Sequence, residues 1–118
     1  MFNFKKLEVW QKAIEFADLV YSTTHSFPTD ERFGLTNQMR RAAVSVSSNI
    51  AEGSSRMSKT DFSRFLEIAT GSAFEVVSQS FISRRRDFID EETFARLDAA
   101  AEELSRMLSG LRRSLLPN

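Results

Sequence analysis

The 118-residue sequence contains no cysteine. Without thiols the chain can form neither a disulfide scaffold nor a thiolate zinc site, and it cannot use a cysteine nucleophile. Glycine and proline are also scarce, at four and two residues, and no alternating run of Val, Ile and Thr occurs. Because these turn and strand signals are missing, the sequence predicts an all-α fold.

Long hydrophobic runs and a net charge are missing as well. No apolar run approaches the roughly 18 residues of a membrane span, and residues 1–6 are not followed by the apolar stretch of a secretory signal. We therefore expect a soluble, cytoplasmic protein with no membrane contact. Sixteen Lys and Arg balance sixteen Asp and Glu, so no global field draws the chain to nucleic acid. Such binding would need a local cluster.

Residues that carry common enzyme chemistry are few. His25 is the only histidine, and near a helix end it fits an interaction with the helix dipole better than a catalytic role. A di-metal carboxylate bundle needs Glu-x-x-His pairs, yet Ser22 stands three residues before His25. No Gly-rich phosphate loop occurs. We therefore expect no enzyme activity, no metal and no cofactor.

Apolar periodicity predicts four helices in a single domain that covers residues 1–118. The predicted helices span about 7–25, 31–53, 58–88 and 91–116. Ser58 is expected to cap the third helix, and Gly53 is expected to end the second in a left-handed cap. Short connections favour an antiparallel up-down-up-down four-helix bundle. On the first helix, spacings of three and four assign Ile14 and Tyr21 to a buried face.

Residues 40–56 combine small side chains with Arg, Asn and Glu on a predicted helix and its end. Asn49 and Glu52 lie three residues apart and so share one side of that helix. If they are partly buried, both need hydrogen-bond partners. Two interpretations remain, a structural polar network and a recognition site. The candidate residues for both are Arg40, Arg41, Asn49, Glu52 and Arg56.

Two arginine clusters fall near the ends of the third and fourth predicted helices. They consist of Arg84, Arg85 and Arg86, and of Arg112 and Arg113. Successive helical residues point about 100° apart, so three in a row cannot form one flat basic stripe. One interpretation is a solvated surface that favours the helix dipoles, and the alternative is phosphate binding.

The third predicted helix carries two apolar faces. Phe74, Phe81 and Phe88 lie a heptad apart on the second face, which a lone bundle would expose to water. Exposed aromatic patches of this kind mark interfaces. Trp10 is interpreted as a core or interface residue in preference to a ligand-stacking one. The candidate oligomer interface therefore consists of Trp10, Phe74, Phe81 and Phe88.

Four motifs are familiar as a set. They are Glu-Val-Trp-Gln-Lys-Ala at 8–13, Gln-Met-Arg-Arg-Ala-Ala-Val-Ser at 38–45, Ser-Asn-Ile-Ala-Glu-Gly at 48–53, and Phe-Ser-Arg-Phe-Leu-Glu-Ile-Ala at 62–69 followed by Gly71 and Ser72. In this order they closely resemble the 23S rRNA intervening-sequence protein family of four-helix bundle proteins, over roughly the first eighty residues. The fourth predicted helix matches only in its apolar pattern.

The resemblance implies a left-handed up-down four-helix bundle and assembly into homopentameric rings. Some relatives are encoded within insertions in bacterial 23S rRNA genes. Another relative, the accessory protein of diversity-generating retroelements, binds nucleic acid and a reverse transcriptase through a basic surface. The present chain departs from the basic relatives by its zero net charge. Of the acidic residues that follow Gly-Ser in the family only Glu75 matches, and it joins the recognition candidates.

Together these observations lead to two functional hypotheses. The first is a non-catalytic bacterial protein that forms a homo-oligomeric ring and serves as a scaffold or interaction module. The second is an accessory protein that binds structured RNA or DNA through Arg clusters displayed around the oligomer. The expected partners are other copies of the chain, together with RNA, DNA or a protein.

Overall fold

The computed structural model describes residues 3–116. Within that range the chain forms four α-helices and no strand, which confirms the predicted all-α class. The helices are α1 Glu8–Thr24, α2 Leu35–Ser54, α3 Lys59–Arg85 and α4 Glu91–Leu115. Short 3-10 helices over Asn3–Lys6 and Thr29–Glu31 precede α1 and α2.

Local hydrogen bonds explain where the helices begin and end. The predicted cap at Ser58 is confirmed, since its hydroxyl accepts the Asp61 N–H at 3.0 Å. α2 begins later than residue 31 because the 3-10 helix intervenes, and Glu31 Oε1 accepts the first helical N–H, from Leu35, at 3.1 Å. α3 ends before residue 88 because Asp87 adopts a left-handed φ of 61°.

The prediction that Gly53 ends α2 in a left-handed cap is wrong. α2 continues to Ser54, and no glycine in the described range 3–116 has a positive φ. A Cβ at Gly53 would lie 2.6 Å from Phe65 Cβ and 2.9 Å from Phe62 Cδ1. Glycine is needed at this position because α2 and α3 come together there, and any larger residue would collide with α3.

All four helices contribute to one apolar core. The pairs in contact are α1 with α2, α2 with α3, α3 with α4, and α1 with α4. The largest fully buried apolar side chains are Phe16, Val20, Met39, Val46, Ile50, Leu66, Val76, Leu97, Leu104 and Leu108. Burying each such side chain stabilises the fold by about 1.5–3 kcal/mol before conformational entropy is subtracted.

Side-chain contacts show which parts of neighbouring helices meet. Ser83, late in α3, donates to Met39 Sδ, early in α2, at 3.5 Å. The hydroxyls of Ser45 and Ser72, near the middle of α2 and α3, share a hydrogen bond of 2.8 Å. The molecule is elongated, at 46 × 24 × 19 Å. Among residues 3–116, no helix is long and apolar enough to cross a bilayer.

Candidate interaction surface

The motif residue Asn49 lies in a polar network between α2 and α3. Its Nδ2 donates to the Ser45 carbonyl at 2.8 Å and to the Ser45 hydroxyl at 2.9 Å. That hydroxyl also shares the hydrogen bond with Ser72 of α3. The network therefore satisfies polar groups at a helix contact that small side chains allow to be close.

Arg40 and Arg41 have different surroundings. Arg40 Nε donates to Thr24 Oγ1 at 2.9 Å, and its guanidinium lies 4.6 Å from the centroid of the Tyr21 ring. These contacts attach α2 to the end of α1 and fix the direction of the Arg40 side chain. Arg41 is exposed, and no ion pair within residues 3–116 involves it.

Glu52 and Arg56 belong to a separate cluster at the connection between α2 and α3. Arg56 Nη2 lies 3.9 Å from Glu52 Oε2, and Arg56 Nε lies 3.9 Å from Asp61 Oδ2. The guanidiniums of Arg56 and Arg64 lie 4.6 and 4.9 Å from the Phe65 ring centroid. Exposed ion pairs of this kind contribute little stability, so the contact with Phe65 is the main packing effect. Glu75 is exposed on α3, away from this cluster.

The arginines at the end of α3 are partly neutralised. Arg84 lies 3.6 Å from an Asp87 oxygen and 3.4 Å from a Glu91 oxygen, at the start of α4. Arg86 lies 5.9 Å from the Phe88 ring centroid, and Arg85 is exposed. Acidic residues therefore neutralise Arg84, whereas the ion pairs of the described range leave Arg85 and Arg86 unpaired.

The arginines at the end of α4 lie elsewhere on the molecule. Arg112 Nη2 contacts Glu67 Oε1 of α3 at 2.6 Å, while its buried Nε has no hydrogen-bond partner in the described range. Arg113 is exposed. Since α4 rises by about 1.5 Å per residue, the two arginine clusters lie roughly 30 Å apart.

Phe74 and Phe81 form an exposed apolar surface on α3. Their side chains are 60% and 56% exposed. With Val77 and Ala101 they line a groove of about 420 Å³ between α3 and α4. The Phe81 ring packs edge-on against Phe94 of α4, with a centroid distance of 4.8 Å, so a contact within the chain supports it. We call this surface the α3–α4 groove.

The other two candidate interface residues lie outside the α3–α4 groove. Phe88 follows the end of α3, is half-buried, and packs against Phe27 at a centroid distance of 5.4 Å. Trp10 is half-buried on α1, and its ring meets Phe4 edge-on at 5.1 Å. Both aromatic residues cover the core from within the chain.

Two parts of the exposed surface are not predicted from the sequence. One is the α4 side of the groove, where Asp98 and Glu102 contribute to the lining. The other is a face formed by α1 and α2, where Ile14, Tyr21 and Val44 are 38%, 45% and 41% exposed. The predicted burial of Ile14 and Tyr21 is therefore wrong, although their heptad separation was a signal for a shared outer face.

Among residues 3–116, the pKa values of Lys12, which is half-buried, and Asp90, which is exposed, are shifted. Glu103 of α4, whose Oε1 lies 3.4 Å from Lys12 Nζ, raises the pKa of Lys12, with a further contribution from Glu15. The hydrogen bonds from Thr93 lower the pKa of Asp90. Each shift favours the charged form, as expected for surface ion pairing and helix capping. No group of three or more potential metal ligands occurs among residues 3–116.

Comparisons with known proteins agree with this architecture. The sequence profile described as 23S rRNA-intervening sequence protein matches residues 5–110. No curated protein sequence matches the chain significantly. The chain resembles a crystal structure from Bacteroides thetaiotaomicron, a protein of unknown function from the S23 ribosomal protein family. The two share 24% identity and a TM-score of 0.79, over 89% of this chain and 98% of that chain. At this identity the similarity shows a common fold.

Proposed function

The chain belongs to the 23S rRNA-intervening sequence protein family, and we propose that it is a non-catalytic scaffold or interaction module built as a homo-oligomeric ring. A pentamer is the assembly that the family resemblance implies. The observation that carries the proposal is the α3–α4 groove, whose two phenylalanines are more than half exposed. A bacterial cytoplasmic location belongs to the same proposal, and the absence of cysteine supports it.

We propose that the helices form a left-handed, antiparallel up-down-up-down bundle that comprises residues 1–118 as one domain. Contacts between neighbouring helices support the antiparallel arrangement. Phe81, late in α3, meets Phe94, early in α4, whereas Glu67, early in α3, meets Arg112, late in α4. Lys12, early in α1, meets Glu103 in the second half of α4. These contacts hold together the two helices that form the groove.

Self-association through the groove is energetically reasonable. A phenylalanine presents roughly 200 Å² of surface, so covering the exposed part of each ring would contribute about 3 kcal/mol. Part of this gain is lost to the entropy cost of association. Two rings held in place by the helices nevertheless form the kind of compact anchor that dominates protein interfaces.

The proposal is tested by measuring mass in solution at micromolar concentration by light scattering. We expect the native chain to be an oligomer and the Phe74→Ser/Phe81→Ser variant to be a monomer. Phe33→Ser is the matched control, because Phe33 is 84% exposed but lies in the connection between α1 and α2. A native chain that stays monomeric would exclude the oligomeric scaffold. If the Phe33→Ser control lost as much mass as the double variant, the α3–α4 groove would be excluded as the specific site of self-association.

A second candidate function is binding of structured RNA or DNA, and the distribution of charge favours a particular end of the molecule. The half of the molecule near the connection between α2 and α3 comprises residues 3–15, 46–71 and 104–116. This half holds nine Lys and Arg residues and five Asp and Glu residues. The other half holds seven Lys and Arg residues and eleven Asp and Glu residues. Arg112 and Arg113 lie in the basic half, and Arg84, Arg85 and Arg86 in the acidic half.

Binding to an RNA duplex at increasing salt would test this second function. Affinity falls as salt rises, and each lost phosphate contact should make the slope of log affinity against log salt less steep by about 0.7–0.9. We expect Lys59→Ala/Arg113→Ala to weaken binding more than the triple alanine variant of Arg84, Arg85 and Arg86. An absence of binding at low salt would exclude nucleic-acid binding. A larger effect of the triple variant would exclude the basic half as the main contact surface for RNA.

A further inference from the structure

The face formed by α1 and α2 has the properties of a second interaction surface. Ile14 and Tyr21 lie a heptad apart on α1, and Val44 lies on α2 four residues after Arg40. Because Arg40 stacks on Tyr21, the two helices present one continuous surface there. We call this surface the α1–α2 face. It involves a different pair of helices from the α3–α4 groove.

The charges on the two surfaces are complementary. Asp98 and Glu102 contribute acidic side chains to the groove. Glu102 already pairs with Arg106 at 2.8 Å, whereas no ion pair within residues 3–116 involves Asp98. The α1–α2 face carries Arg40 and Arg41. Arg40 uses Nε for Thr24, and its Nη atoms have no hydrogen-bond partner among the described residues. Asp18 also lies on α1 between Ile14 and Tyr21, so the basic character comes from α2.

Gly71 provides an independent observation beside the groove. It is exposed in the interior of α3, three residues before Phe74, and a Cβ there would meet nothing within 4 Å. Glycine at such a position costs up to about 1 kcal/mol relative to alanine. The backbone of α3 is open to solvent at Gly71, so a helix of another molecule could approach it closely there.

We propose that the α3–α4 groove of one copy binds the α1–α2 face of a second copy. In this contact Phe74 and Phe81 pack against Ile14, Tyr21 and Val44, and the acidic rim of the groove lies opposite Arg40 and Arg41. The inference rests on the proposed self-association and names its partner surface. Because the two surfaces differ, each copy binds two others, and a closed ring or an open chain results instead of a two-fold dimer.

The experiment uses two variants that each block one surface. Asp98→Arg/Glu102→Arg reverses the charge of the groove, and Arg41→Glu/Val44→Glu reverses the charge of the α1–α2 face. Each variant alone should be monomeric by light scattering, with its helical circular dichroism unchanged. An equimolar mixture should associate again, because the intact groove of one variant can bind the intact face of the other. The chain that carries all four substitutions should recover at least a tenfold higher affinity than either double variant.

Several outcomes separate this inference from the proposed function. A monomeric native chain would remove the self-association on which both depend. A native oligomer whose mass survives Arg41→Glu/Val44→Glu would overturn the inference alone, since it would indicate groove-to-groove contact. If a double variant fails to fold, Gly71→Gln supplies the second test, because it adds a bulky side chain at this exposed position without altering charge. We expect it to weaken association at least tenfold, and unchanged association would contradict the close approach.

Discussion

At the scale of residues, two glycines in helix interiors serve different purposes. Gly53 lies against Phe62 and Phe65 inside the chain, whereas Gly71 faces open space. Both glycines are consistent with close approach of a second helix. At Gly53 that helix is α3 of the same chain, and at Gly71 we propose that it belongs to another copy. Sequence alone could not separate the two, because glycine also ends helices and that reading was reasonable for Gly53.

Substitution of Gly53 measures the tightness of the contact between α2 and α3. Gly53→Ala should lower the free energy of unfolding by about 1–3 kcal/mol, since the collision outweighs the better helix propensity of alanine. Gly110→Ala is the control, because a Cβ there meets nothing within 4 Å. The control should be neutral or stabilising by up to about 1 kcal/mol in urea unfolding. A Gly53→Ala protein as stable as the native one would disprove the close contact.

At the scale of elements, the apolar pattern of α4 predicts its buried face directly. Leu97, Ala101, Leu104 and Leu108 repeat at three and four residues, and all are buried. The buried faces of α3 and α1 are harder to predict because their apolar residues extend around more than one side. Periodicity gives the angle between side chains on a helix but does not say which side meets the core. That missing direction is the reason why Ile14 and Tyr21 were misplaced.

The first turn of α4 provides a pH-dependent contribution to stability. Hydrogen bonds from Thr93 lower the pKa of Asp90 in the folded chain, and the backbone N–H bond measures 2.8 Å. A carboxyl with a lowered folded pKa stabilises the fold above its unfolded pKa of about 3.9, and the effect disappears as the pH falls through the folded pKa. Asp90 should therefore stabilise α4 at neutral pH and lose that effect in acid.

Asparagine at this position separates charge from capping. Asp90→Asn keeps a side-chain oxygen that accepts the Thr93 N–H, but it removes the negative charge near the helix dipole. We expect Asp90→Asn to be less stable than the native chain at pH 7 in urea, with the difference closing towards pH 2. Asp90→Ala, which lacks the cap, should be destabilised at both pH values. A constant difference for Asp90→Asn across this range would contradict the role of the charge.

At the scale of the whole molecule, a balanced charge count conceals an uneven distribution. The basic and acidic residues cancel over the chain, yet nine of sixteen Lys and Arg fall in the half that also holds only five acidic residues. Composition excluded a global field, but locating a local one required knowing which helix ends lie together. The interface shows the same limit of sequence information. The heptad spacing on one helix predicts Phe74 and Phe81, but the α4 side of the groove and the α1–α2 face are each formed by two helices, so they become visible only once the packing of the helices is known.

The absence of cysteine makes a direct test of the central claim practical. Ser78 lines the groove, and Ser48 is exposed on α2 four residues after Val44. Ser78→Cys and Ser48→Cys each introduce one unique thiol into a chain that has none. Both substitutions nearly preserve side-chain size, so the interface should remain intact. Ser114→Cys, exposed near the end of α4, serves as the control.

The decisive measurement is cross-linking of mixed single-cysteine proteins with a short bismaleimide, read as covalent dimer on a denaturing gel. We expect Ser78→Cys mixed with Ser48→Cys to give abundant dimer, and each protein alone, or either mixed with Ser114→Cys, to give little. Abundant dimer from Ser78→Cys alone, or none from the first mixture, would contradict binding of the groove to the α1–α2 face.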